Sequence, residues 1–190
     1  MSSESVWFEQ VDSALIEYIR GIVKLSNEKG ELTPIPTKVR KPDEDFKIEV
    51  YPCITIYNLY SHRNELRYNP ERQIVSRDVA NALIRTEPGA IPYDLLYQID
   101  FWAKMQSDMN NMLRLWVGHN PDKYINLPVK DMSGTNRNSF MLQTEDIKKS
   151  DLLSGDKRLF HSFITYKIWV ELDEKISVEK PMITQIEITT

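Results

Sequence analysis

Cysteine, histidine and glycine are all scarce in this chain, and each scarcity removes a kind of chemistry. One cysteine, Cys53, in 190 residues excludes an intramolecular disulfide. It lies in a strand-like run, so a buried thiol in a reducing compartment is the expected setting. Three histidines, His62, His119 and His161, fall one per region of the sequence. A metal site needs several such side chains at ligand spacing, so no metal is expected. His119, after a helix, and His161, on a strand, read as partly exposed structural residues. Six glycines leave little material for phosphate-cradling loops, and the contexts of Gly118 and Gly134 match neither a dinucleotide fingerprint nor a P-loop. No G-x-S-x-G elbow anchors a nucleophilic serine. No apolar run approaches the ~20 residues that cross a bilayer. The opening MSSESVWFEQ is acidic and lacks a basic n-region, so no secretory signal is expected and the chain reads as cytosolic and soluble. A net charge of −4 argues against general nucleic-acid affinity, which needs a basic field.

What is present is the composition of one ordinary globular domain. At 41% hydrophobic and 27% charged, the chain has enough apolar material for a sizeable core. The most telling stretch is Tyr93 to Gly118, where the hydrophobic period changes midway. Leu95, Tyr97, Ile99 and Phe101 alternate as one face of a strand. Asp94, Leu96, Gln98, Asp100 and Trp102 share the other. From Met105 the spacing turns helical: Met105, Met109, Met112, Leu113 and Trp116 stack on one side, with Gly118 placed to end the helix.

Elsewhere, Trp7, Phe8, Val11, Ala14, Leu15, Tyr18, Ile19, Ile22 and Val23 follow the i, i+3, i+4 rule. They predict a first helix of about five turns, capped by Ser5 and stopped before Gly30. Residues 26–45 carry Pro34, Pro36 and Pro42 without a period and are expected as an extended loop or arm. Phe46 to Tyr60 reads as a long strand, placed at an edge or bulged because Pro52 donates no ladder bond. Ser76 is positioned to cap a short helix carrying Val79, Ala80, Leu83 and Ile84. Tyr124 to Val129 and Ser139 to Thr144 read as strands about a tip at 131–138. Asp146 to Asp156 reads as a charged loop, and Phe160 to Leu172 as the cleanest strand. Pro181 precedes a last alternation of Met182, Ile186 and Ile188. The order predicts an α+β fold: a mixed, mainly antiparallel sheet with an N-terminal amphipathic helix and a second helix on one face, in a single domain.

Two constellations carry charge. Asp94 and Asp100 share a strand face and form the strongest acid–base candidate, but nothing nearby suggests a nucleophile, oxyanion donor or cofactor loop. A solvent-facing strand surface, or a polar seam against a neighbouring subunit, is the plainer reading. Arg63, Arg67, Arg72 and Arg77, interleaved with Tyr60 and Tyr68, form a basic run diluted by Glu65, Glu71 and Asp78. A subunit contact ranks first for it, because arginine and tyrosine are enriched in interface hot spots. A solvated loop ranks second and nucleic acid third. The methionine–tryptophan stripe reads as core.

The run YPCITIYNLYSHRNELRYNPER, Tyr51 to Arg72, places a proline inside a long strand, then Leu59-Tyr60, a polar turn and Leu66-Arg67-x-Asn69. Pro92-Tyr93-Asp94-Leu95-Leu96-Tyr97 then opens a strand that runs into a helix. Together with the N-terminal helix, these features resemble the tail terminator proteins of contractile phages and related injection machines, over roughly Val6 to Val117. The resemblance implies a structural virion protein of the tail or neck, assembled in the host cytoplasm. Such a protein forms a ring, usually hexameric, that caps the tail tube and sheath and presents a head-attachment surface. Its implied partners are copies of itself, the tail tube protein, the tail sheath protein and the head–tail connector. DNA enters only as it passes through the channel, and no membrane, cofactor or catalytic residue is implied. Tyr60, Arg63, Arg67, Asn69 and Arg72 are the expected interaction residues. A head-completion connector or baseplate component of the same machine is the alternative, and an enzyme using Asp94 and Asp100 stands behind it.

Overall fold

The computed structural model describes residues 3–26, 30–40, 48–67, 73–78, 83–87, 91–130, 136–154, 157–172 and 178–181. In chain order the elements are α1 (Ser3–Ile22), β1 (Lys24–Ser26), β2 (Leu32–Pro34), β3 (Thr37–Val39), β4 (Cys53–Arg63), β5 (Gln73–Asp78), β6 (Leu83–Glu87) and β7 (Ile91–Ala103). They continue with α2 (Gln106–His119), β8 (Tyr124–Lys130), β9 (Asn136–Gln143), β10 (Lys148–Lys149), β11 (Leu152–Ser154), β12 (Lys157–Leu172) and β13 (Val178–Pro181). The fold is α+β, as the order of hydrophobic periods predicts. No helix among the described residues is long and apolar enough to cross a membrane.

The chain divides into two compact units, residues 1–61 with 94–170, and residues 62–93 with 171–190. The main sheet runs β3-β4-β7-β12-β9-β8, and β10 and β11 also pair with β12. β3 and β4 are parallel, while β8 with β9 and β9 with β12 are antiparallel. In the first unit both helices lie on one face of this sheet. The alternation of β7 explains why: Leu95, Tyr97, Ile99 and Phe101 are wholly buried on that face. Phe101 meets the Trp116 ring of α2 edge-on, and Trp116 also meets Tyr18 of α1 and Tyr166 of β12. The indole N–H of Trp116 donates to Tyr166 Oη at 2.9 Å, which satisfies the one polar atom that so large a ring brings into the core. Burial pushes the Tyr166 phenol up to about 12.

Several expectations are corrected. The backbone of α1 begins at Ser3, so Ser5 lies inside the helix rather than at its cap. The helix stops at Ile22, well before Gly30, whose φ of +81° serves the β1–β2 connection instead. The segment expected as an arm at 26–45 holds β2 and β3, with Ile35 and Thr37 buried; residues 27–29 and 41–47 lie outside the described ones. Pro52 precedes the first ladder residue of β4, so the strand needs no bulge there and sits inside the sheet between β3 and β7.

In α2, Met109, Met112 and Trp116 are buried but Met105 is exposed at the N-cap. Gly118 lies within the last turn. The stop comes at Asn120, whose backbone N–H and side-chain Nδ2 both donate to the Trp116 carbonyl, at 3.1 and 3.0 Å. The charged run at 146–156 is not all loop, because β10 and β11 add to β12. Of the expected tip at 131–138, residues 131–135 lie outside the described ones and 136–138 belong to β9. The alternation after Pro181 also lies outside them.

In the second unit, β13, β6 and β5 form an antiparallel sheet. Among the described residues the short helix expected after Ser76 gives way to strands: Ser76 is in β5 and Leu83 and Ile84 are in β6, while residues 79–82 lie outside the described ones. Pairing on both sides of β6 overrides the local helical spacing.

Candidate functional site

The helix-free face of β7 is where the sequence places its chemistry, and the structure gathers a polar network there. Asp100 is buried to 1% exposure. Its Oδ1 lies 2.7 Å from Gln98 Nε2 and 2.8 Å from His161 Nε2, and its Oδ2 accepts from Thr55 Oγ1 at 3.4 Å. Thr55 Oγ1 in turn accepts from Trp102 Nε1 at 3.1 Å. The Trp102 indole stacks flat on the His161 imidazole, with centroids 3.8 Å apart and planes within 9°. With a carboxylate oxygen as its partner, His161 Nε2 is assigned as the donor of this contact. Asp94, six residues further back on the same face, is bound at 2.7 Å by Lys167 Nζ of β12.

The reading of Asp94 and Asp100 as a solvent-facing surface is therefore corrected, since both are buried. His161, read as partly exposed, is buried as well. The sheet explains both results. β12 lies beside β7, and the side chains on its helix-free face close over the carboxylates. His161 was the residue that sequence reasoning missed. A signal existed: an antiparallel register that sets Lys167 opposite Asp94 also sets His161 opposite Asp100, six residues along each strand.

Chemically the network is a filled one. Asp100 meets Gln98, His161 and Thr55 in a nearly dry setting, an arrangement that rigidifies a core when every member is satisfied. Among the described residues no cluster of three or more His, Cys, Asp or Glu side chains is placed to hold a metal ion. Cys53 is buried, and burial pushes its thiol up to about 11.

The expected interaction residues are placed as follows. Tyr60, on β4 in the first unit, is 54% exposed, and Leu59 beside it is 40% exposed. In the second unit, Arg63 Nε lies 3.3 Å from Glu65 and Arg67 lies 3.6 Å from Glu171, with all four side chains open to solvent. Leu66 between them is fully exposed. Asn69 and Arg72 lie outside the described residues, as do the side chains of Tyr68 and Arg77. Within the run only the Arg63–Glu65 pair tests the expected dilution by interleaved acids; Glu171 comes from β12, and Glu71 and the Asp78 side chain lie outside the described residues. A separate groove of about 350 Å³ in the first unit is lined by Leu25, Pro34, Ile35, Val50, Tyr51 and Asp108, among others.

No protein-family model matches the chain, and no curated protein does. Among solved structures it is similar to the sheath/tube terminator of an extracellular contractile injection system, PVC, in its extended state. The likeness has 13% identity and a TM-score of 0.45, and covers 96% of this chain and 62% of that one. The chain thus spans less than two thirds of that protein's length. At this identity and score, the likeness carries nothing about what the present chain binds.

Proposed function

We propose that the chain is a structural assembly protein of the tail-terminator kind. It forms a ring on the end of a tail tube and sheath and offers a surface to the head-proximal connector. The observation that supports this reading is the placement of the two segments carrying the sequence resemblance. Tyr51 to Arg72 supplies β4, and Pro92 to Val117 supplies β7 and α2; the two strands are neighbours in the main sheet. A second feature is consistent with it. The ionisable groups on β7 are engaged with Gln98, His161, Thr55 and Lys167, whereas large apolar side chains such as Tyr60 and Leu66 face outward. A ring closes through a heterologous contact, which requires two different, complementary patches on each protomer.

Electron microscopy of the purified protein should reveal rings of one diameter that bind the ends of tail tubes. A strictly monomeric species at high concentration, indifferent to tubes, would sink the reading. The alternative, a head-completion connector or baseplate component, is separated by labelling intact particles: a signal at the distal end removes the terminator. An enzyme built on Asp94 and Asp100 is tested by replacing both with asparagine. Loss of folding or assembly alone, with no turnover to lose, ends that reading.

A further inference from the structure

Gln10 of α1 buries its side-chain oxygen, Oε1, with no hydrogen-bond donor among the described residues. A buried acceptor left unpaired costs the fold its desolvation and returns nothing, so its persistence asks for a reason. Gln10 lies on the wall of a groove of about 210 Å³ between α1 and β8, lined also by Ser13, Ala14, Glu17, Pro128 and Lys130. Glu17 is exposed and makes no ion pair among the described residues, not even with the Lys130 that lines the same groove. Ser13 Oγ donates to the Glu9 carbonyl, which leaves its lone pairs as further acceptors. The exposed positions Glu9, Ser13 and Glu17 fall four residues apart, so the outward stripe of α1 here is acidic.

α2 presents the opposite charge. Arg114 is exposed on it, with Asn110 and Val117 beside it at helical spacing and the valine 49% exposed. The one acid of this helix, Asp108, lines the separate groove beside β1 and β2. Every other arginine with a described side chain engages a partner. Arg20 reaches the Thr37 carbonyl, Arg40 the Tyr57 ring, Arg63 Glu65, Arg67 Glu171 and Arg158 Asp151. Arg114 has none among the described residues.

We propose that Arg114 of one copy enters the α1–β8 groove of the next, its guanidinium bonding Gln10 Oε1 and Glu17. The aliphatic stem then lies along Ala14 and Pro128, while the planar fork of donors serves both oxygens at once. The contact joins two different patches of one protomer, the heterologous kind that a ring needs. It rests on the ring-forming reading above and is separate from the Tyr60–Arg67 run.

Charge reversal tests it. Arg114→Glu and Glu17→Arg both alter exposed side chains and should leave the thermal midpoint of the dilute protein unchanged. Each alone should raise the concentration at which rings form by roughly tenfold or more, since like charges then meet at every contact. Mixed in equal amounts, the two variants should co-assemble, because alternating copies restore opposite charges at each contact. If a reversal lowers the midpoint, Arg114→Gln and Glu17→Gln take its place. Each should weaken assembly, and the double variant should be no weaker than the worse single one. Gln10→Leu gives an independent reading: it should raise the midpoint of the dilute protein, by removing the unpaired acceptor, yet weaken assembly by roughly tenfold. A Gln10→Leu variant that melts lower, or assembles like the parent, overturns the role of Gln10. Charge variants that assemble like the parent overturn the proposal and leave the ring reading standing. So does a mixture of folded reversal variants that stays apart, since the two side chains then serve different contacts. A parent that remains monomeric at every concentration removes the ring reading and this contact with it.

Discussion

His161 Nε2 lies 2.8 Å from Asp100 Oδ1, and the pair joins the two central strands of the sheet across 61 residues of sequence. Asp100 has no solvent to fall back on, and His161 is held flat against Trp102. Removing one member strands the other. Asp100→Ala should therefore destabilise the fold by about 3 kcal/mol, since Gln98 and His161 both lose their acceptor. Asp100→Asn keeps one carbonyl oxygen and should cost less. Urea denaturation of both variants, in a double-mutant cycle with His161→Ala, should give a coupling on the order of 1 kcal/mol or more. A coupling near zero would mean the contact contributes nothing.

Asp12 of α1 gives a pH dependence of opposite sense to the usual carboxylate. Tyr97 Oη donates to its Oδ1 at 2.8 Å, yet burial outweighs that bond and raises the carboxyl above 3.8. Neighbouring Glu9 adds to the rise. A raised folded pKa means the folded state binds the proton more tightly than the unfolded chain. The favourable contribution is then full below the unfolded value, and is lost as pH rises through the folded one. Asp12→Asn, which keeps an acceptor for Tyr97, should gain stability relative to the parent as pH climbs from 3 to 7. Denaturation midpoints across that range check the sign; a difference growing toward low pH contradicts it.

The core cluster around Trp116 predicts an ordered series. Trp116→Ala empties a fully enclosed site and should cost about 3–5 kcal/mol. Tyr166→Phe removes only the acceptor of the indole N–H and should cost about 1–3 kcal/mol. Calorimetry that ranks Tyr166→Phe above Trp116→Ala would mean the ring packs less tightly than its contacts with Tyr18, Phe101 and Tyr166 indicate.

How much of this was legible beforehand depends on how local each feature is. The switch from period two to helical spacing at Tyr93–Gly118 is written in consecutive residues, and β7 and α2 follow it closely. β12 was equally plain. Leu83 and Ile84 misled because helical spacing over a few residues competes poorly with strand pairing to β5 and β13, which the local pattern does not contain. The Asp100–His161 pair was hidden for the same reason. Each residue looks ordinary on its own strand, and only the antiparallel neighbourhood of β7 and β12 brings them together. Arg63 was legible within a mixed-charge run because Glu65 lies close in sequence, whereas the Glu171 partner of Arg67 sits at the end of β12 and no local pattern announces it.

Cys53 offers a reactivity test that needs no assembly. Its thiol is buried and pushed up to about 11, with burial outweighing the opposing effect of Lys38. Native protein at pH 8 should react with a thiol reagent far more slowly than the same protein in denaturant, since the thiolate is the nucleophile. Stoichiometric labelling of the native state within seconds would contradict this burial.

The exposed residues separate stability from assembly. Arg67 and Glu171 are solvent-screened at 3.6 Å, so Arg67→Ala should move folding stability by no more than about 1 kcal/mol. Tyr60→Ala should also leave the fold intact, because the side chain already faces water. As interface residues, each should weaken ring formation by about 2 kcal/mol, a roughly 30-fold rise in the assembly midpoint concentration. Analytical ultracentrifugation reads that shift, while the thermal midpoint is monitored in parallel. Unchanged assembly by both variants would move the interface elsewhere, whereas a fall in midpoint temperature matching the loss of rings would make these residues structural.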